Sequence, residues 1–256
     1  MAEASVDELR YTIATAMRML GSFDLVREIT GHVSARIPGT NEMLVRCRGG
    51  NERGLLYTDV AQVRRMPLDI KGGQSDAEGF MIPIEVAIHG QMYLAHPEVN
   101  AVVHAHPRAS VMCGILGLEL RPIFGAFDPG ALGLAARGVP VYPRSVLISR
   151  PDLGQDLAKA MGGKKVVLMK GHGITSVAAS VEAATIQAIK LDSLAGMILE
   201  IAHLGREAPS ISHEDLEAFG MIGERPERAG GGIPRGEEWV WSSYVQLVRD
   251  GVGLPE

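Results

Sequence analysis

Apolar positions recur along the chain with two different periods, and the changes of period divide it into elements. Ser5 followed by Glu8 makes a capping box, in which a hydroxyl and a carboxylate satisfy the free amides of a helix start. Leu9, Ile13, Ala16, Met17 and Leu20 then recur at helical spacing, and Gly21 supplies the stop. Beyond Ile29 the period shortens to two. Val33, Ala35 and Ile37 alternate with Ser34 and Arg36, Pro38-Gly39-Thr40-Asn41 forms a turn, and 43–47 continues extended, which predicts a β-hairpin. Thr58-Asp59 caps a short helix through Val63, and Pro83 opens a helix over 84–95 that Pro97 closes. The stretch 101–107 reads as a short β-branched strand, 107–116 as a helix, 152–161 as an amphipathic helix and 165–169 as a buried strand. Gly171-His172-Gly173 is a turn, and Ser180 caps a long apolar helix that reaches about His203 before Gly205. From Arg206 onward Pro, Gly and charge dominate until the aromatic stretch Trp239 to Tyr244. The mixture of α and β predicts one α/β domain over 1–205, with an extension over 206–256 packing on that domain or on a neighbouring subunit.

Composition narrows the class. Lys and Arg number 25 against 30 Asp and Glu, a net charge of −5, so the chain lacks the basic character of a general nucleic-acid binder. The hydrophobic fraction of 46% excludes an intrinsically disordered chain. Two cysteines, Cys47 and Cys113, make no disulfide framework and suit a reducing compartment. The N-terminus carries neither the basic nor the apolar part of a signal peptide, and the longest apolar run, 109–118, falls short of the ~18–20 residues that span a bilayer. The expectation is a soluble, cytoplasmic protein with no membrane partner.

Chemistry concentrates at a few positions. His104 and His106 stand two apart on a short strand, so both side chains leave the same face. His172 lies between two glycines directly after the strand over 165–169. Two imidazoles from a strand and a third from a turn suit one divalent ion with open positions for substrate. An H-x-H pair arises equally in a hydrogen-bonded core or on a surface, and spacing alone leaves both readings open. Glu85, near a helix start, is either a carboxylate favoured by the helix dipole or, beside a metal, a general acid/base. His89 follows one turn later on the same face, where it either bonds to Glu85 or packs.

Four stretches give these residues a context: Gly31-His-Val-Ser-Ala-Arg36, Glu85-Val-Ala-Ile-His89, Val99 to Pro107 with its H-x-H pair, and Lys170-Gly-His-Gly173. In that order and spacing the chain resembles the class II aldolase/adducin family from about Ser5 to Gly205. The resemblance implies a three-layer α/β/α sandwich around a largely antiparallel sheet. It also implies a homotetramer with active sites at subunit contacts. It gives metal-ligand roles to His104, His106 and His172, around one divalent ion (Zn, Mn, Fe or Co). Proton transfer falls to Glu85, which stands 19 residues before His104 (104 − 85 = 19). With every ligand position filled, an adducin-like module without catalytic metal is the disfavoured, non-enzymatic reading.

Departures from the family's sugar-phosphate aldolases point to a different substrate. Those enzymes bind phosphate with a Gly-Asn turn, a Ser-Gly loop and two serines ahead of the glutamate. Here the turn reads Gly31-His32, the loop carries Arg46, Arg48 and Arg53, and Pro83-Ile84 precede Glu85. A guanidinium matches a carboxylate bidentately, whereas hydroxyls and amides suit phosphate. The three arginines are either solvated loop charges or contacts to a small carboxylated substrate. Gly-His-x-Ser-x-Arg is similar to the family's decarboxylase branch, which acts in aromatic-compound catabolism, and the stretch from Arg46 to Thr58 looks closest to its 3,4-dihydroxyphthalate decarboxylases. That resemblance makes His32, Ser34, Arg46, Arg48 and His89 candidate substrate contacts, with Tyr244 reaching a neighbour's site from the tail. An aldolase acting on a non-phosphorylated hydroxy-acid, and an iron oxygenase on the same three histidines, are the enzymatic alternatives.

Overall fold

Alternation along the strands builds two apolar cores, one on each face of a single sheet. The computed structural model describes residues 5–221 and 235–249. Seven strands, β1 (His32–Arg36), β2 (Glu42–Arg46), β3 (Val63–Pro67), β4 (Ala101–Ala105), β5 (Val141–Tyr142), β6 (Val166–Met169) and β7 (Gly173–Ala178), lie in the order β3-β2-β1-β4-β7-β6-β5. Every adjacent pair is antiparallel except β5 and β6. Val33, Ala35, Leu44, Val103 and Leu168 point into one core with α1 (Val6–Ser22), α3 (Arg108–Leu116), α4 (Pro129–Ala136) and α6 (Val181–His203). Met43, Val45, Val102, Val167 and Met169 point into the other with α2 (Val86–Ala95) and α5 (Pro151–Met161). The architecture is the expected α/β/α sandwich around a mostly antiparallel sheet.

The helix ends follow local chemistry. Both hydrogen bonds of the Ser5/Glu8 capping box form, and Ser180 accepts from the Ala183 amide. α2 is apolar all round because it is covered on two sides, by the sheet and by α5. Gly154 lets α5 approach closely: a Cβ there would lie 2.6 Å from the Ala87 carbonyl oxygen. The helix expected over 84–95 begins at Val86, leaving Glu85 at the N-cap. In place of the short helix ending at Val63, two 3₁₀ turns (Leu55–Tyr57 and Val60–Gln62) lead into β3, with Asp59 capping the second. Sequence reasoning also passed over α4, β5 and β7. α7 (His213–Ala218) and α8 (Arg235–Arg249) complete the described chain, and Trp241 and Tyr244 of α8 pack against the core beside α1 and α6. No described helix is long and apolar enough to cross a membrane.

Candidate active site

β4 is the central strand, and its polar residue faces the α2 layer. His104 sits on β4 with no exposed surface, directly across from His32 on β1. His106 follows the end of β4, where its amide donates to the Leu25 carbonyl. His172 occupies the β6–β7 turn, made possible by Gly171 at φ +61° and by Gly173, where a Cβ would lie 2.2 Å from the Ala105 oxygen. Glu85 enters from the N-cap of α2. One ligand atom from each of Glu85, His104, His106 and His172 falls within 4.8 Å of the others.

Hydrogen bonds around the cluster orient its donors. His104 Nδ1 lies 3.0 Å from the Ile174 carbonyl, which can only accept, so Nδ1 carries the proton and Nε2 keeps its lone pair. That Nε2 faces His106 Nε2 at 2.8 Å. Glu85 Oε1 accepts from the Ile148 amide at 2.8 Å and lies 3.3 Å from His172 Nε2, while Oε2 lies 3.7 Å from His104 Nε2. Burial, and then the neighbouring imidazoles, holds His104 well below the usual histidine range; burial and then His172 push His106 down to about 4. Three imidazoles beside a carboxylate are a nitrogen-rich donor set suited to one divalent transition ion.

Behind the cluster lies a second layer of polar side chains. His32 Nδ1 meets His89 Nε2 at 2.6 Å, His89 Nδ1 meets Ser34 Oγ at 2.6 Å, and Ser34 Oγ meets the Tyr93 hydroxyl at 2.7 Å. Sequence reasoning paired His89 with Glu85 or with packing; instead both of its ring nitrogens are taken by β1 residues. His89 and Ser34 have no exposed surface, Tyr93 has almost none, and His32 keeps a thin exposed edge, 6%. Tyr93 went unremarked in the sequence, although it lies four residues beyond His89 on the same helical face.

The arginines separate by burial. Arg46 closes β2 with its side chain 2% exposed, paired with Glu52, and its Nε has no partner among the described residues. Arg48 is half-buried and reaches the Ile29 carbonyl at 3.3 Å. Both bear electrostatically on His32. Arg53 lines a cleft of about 580 Å³ with Tyr57, Glu28 and Arg27, and none of the cluster residues lines it. Tyr244 packs edge-on against Phe23, ring centres 4.7 Å apart, so within one chain it is not brought to the histidines.

Comparison with known proteins finds related sequences and a related fold. Residues 11–199 match the family model described as the Class II Aldolase and Adducin N-terminal domain. A 3,4-dihydroxyphthalate decarboxylase of Arthrobacter keyseri is 43% identical over 84% of this chain and 87% of its own, and one of Terrabacter sp. is 41% identical over 84% and 90%. Among solved structures, an aldolase II superfamily protein from Pseudomonas syringae superposes with a TM-score of 0.78 over 98% of this chain and 96% of its own, at 18% identity, a likeness of fold alone.

Proposed function

Because the chain belongs to the class II aldolase and adducin family, we propose that it is a metal-dependent carboxy-lyase acting on a hydroxylated aromatic dicarboxylate of the 3,4-dihydroxyphthalate type. The observation that carries this reading is the meeting of Glu85 with three imidazoles in one cluster, with Arg46 and Arg48 bearing electrostatically on the adjacent His32. Ile84, 45% exposed, and Met81, 39% exposed, flank Glu85 where a phosphate site would need hydroxyls. An apolar edge suits a flat ring.

In this reading His104, His106 and His172 hold one divalent ion. When bound, that ion supplies Lewis acidity toward a substrate phenol oxygen beside the scissile carboxylate. Glu85, in its neutral form, gives its proton to the ring carbon that bears the carboxylate. The electron pair of the breaking C–C bond returns to the ring, CO2 departs, and aromaticity is restored; solvent then reprotonates Glu85. His32, Arg46 or Arg48 holds the second carboxylate, and a guanidinium does so bidentately. Ser34 and His89 support that contact from behind. A homotetramer with Tyr244 reaching a neighbour's site belongs to the same reading.

Incubation with 3,4-dihydroxyphthalate under anaerobic conditions tests it. The expected result is CO2 and protocatechuate in equal amounts, abolished by chelation and restored by a divalent ion. Product formed only with dioxygen would transfer the site to oxygenase chemistry, and no product from any hydroxylated aromatic dicarboxylate would overturn the reading.

A further inference from the structure

The polar layer beneath the cluster is a ladder on two elements. β1 presents His32, Ser34 and Arg36 at period two, and α2 lays His89 and Tyr93 across them at period four. Arg36 closes the far end, over the Tyr93 ring at 5.0 Å and bonded to the Tyr93 carbonyl. The chain of contacts therefore runs from a sealed end at Tyr93, 1% exposed, to the only edge that opens, at His32.

The sealed end determines which way the protons point. Among the described residues the Tyr93 hydroxyl has one hydrogen-bond partner, Ser34 Oγ. The phenol proton therefore has a single acceptor, Ser34 Oγ. Ser34, having accepted, turns its own proton to His89 Nδ1. His89, kept neutral by burial that pushes it down to about 3, then carries its proton on Nε2 and donates it to His32 Nδ1. The reverse polarity would leave the Tyr93 proton buried without an acceptor, a costly arrangement.

We propose that Tyr93, Ser34 and His89 are positioning residues, a hydrogen-bond relay of one polarity that holds His32 in the tautomer with its proton on Nε2 and makes it a dedicated donor to an anionic substrate oxygen. The donor role toward a substrate carboxylate rests on the decarboxylase reading; the tautomer does not. His32 Nε2 bonds to nothing among the described residues. With Nδ1 committed inward, Nε2–H is the only proton the ring can offer to a ligand.

Long-range proton–nitrogen correlation spectra of the ¹⁵N-histidine-labelled protein, loaded with diamagnetic zinc, read each ring's tautomer. His32 and His89 are assigned by the signals lost in His32→Gln and His89→Gln. Both rings are expected protonated on Nε2 alone; His32 protonated on Nδ1 would overturn the relay. In Tyr93→Phe the bias is lost, His32 becomes a mixture of tautomers, and KM for 3,4-dihydroxyphthalate rises about threefold to tenfold with kcat changed by less than about twofold. An unchanged His32 tautomer in that variant would also overturn it. Should Tyr93→Phe fail to fold, the wild-type spectrum decides. His32→Gln, which donates from a similar position, is expected to keep KM below that of His32→Leu; equal values contradict the donor role. Expected tautomers in a protein that turns over no aromatic dicarboxylate would uphold the relay and sink the decarboxylase reading instead.

Discussion

Two arginines two residues apart face opposite demands. Arg46 is buried and its charge is balanced by Glu52, which Gln62 also contacts at 3.1 Å. Arg46→Ala strands that carboxylate and is expected to cost on the order of 2–3 kcal/mol, less than a fully sealed pair because Glu52 keeps 17% of its side chain exposed. Arg48, half-buried with a single backbone hydrogen bond from its side chain among the described residues, has little to lose: Arg48→Ala should stay within about 0.5 kcal/mol in stability. It should nonetheless raise KM severalfold with metal content unchanged. Denaturant titration, metal analysis and steady-state kinetics on the two variants check the contrast, and metal loss in Arg48→Ala would make that residue structural. At this scale the histidines and Glu85 stood out as candidates by residue type and position, while their roles came only from the family resemblance. Their partners were not legible: the Ile148 amide and the Ile174 carbonyl are backbone groups that any side chain could supply, and Tyr93 reads from the sequence as one more apolar helix position.

Elements place the ligands through close backbone approach. At Gly173 a Cβ would sit 2.2 Å from the Ala105 oxygen and 2.8 Å from His106 Cδ2, so β7 reaches β4 only because no side chain stands there. Gly173→Ala is expected to displace the His106 ring and lower both metal content and Tm, whereas Gly39→Ala, where a Cβ meets nothing within 4 Å but φ is +70°, should lower Tm alone. Equal metal content in the two variants would refute the account of β7. Capped helices were readable from the chain: Ser5 with Glu8 and Ser180 announce α1 and α6. β3 escaped because Val63-Arg-Arg-Met-Pro shows no clean alternation, Arg64 and Arg65 both finding carboxylate partners at the sheet edge. β7 escaped because Gly173-Ile-Thr-Ser-Val-Ala178 is buried on both faces and so shows no clean polar alternation, and β5, two residues long, has no period to read.

Across the whole molecule, burying a neutral imidazole couples stability to pH. An unfolded histidine takes a proton near 6.5, whereas folded His89, outside the ligand set, does so only at about 3. Between those values the unfolded chain binds more protons, so stability rises with pH through the window and is fully present above about 6.5. The slope approaches about 1.4 kcal/mol per pH unit for that histidine. Calorimetry of the metal-loaded protein from pH 8 to pH 5 should show Tm falling on the acid side; a flat profile would contradict neutral burial. The sandwich as a whole was foreseeable because the family resemblance rests on stretches distributed over most of the chain. The separation of its two cores was not, since it depends on which face of each strand turns inward and so on pairings such as His32 with His104.

The central claim is that three imidazoles hold a cation beside an acid that moves a proton, and metal content measured alongside turnover tests it in one comparison of wild type, His104→Ala and Glu85→Gln. The account predicts that His104→Ala loses both metal and activity. Glu85→Gln should keep the wild-type metal ratio while turnover falls about 10²–10⁴-fold. Normal turnover in Glu85→Gln, or full metal retention in His104→Ala, would contradict it.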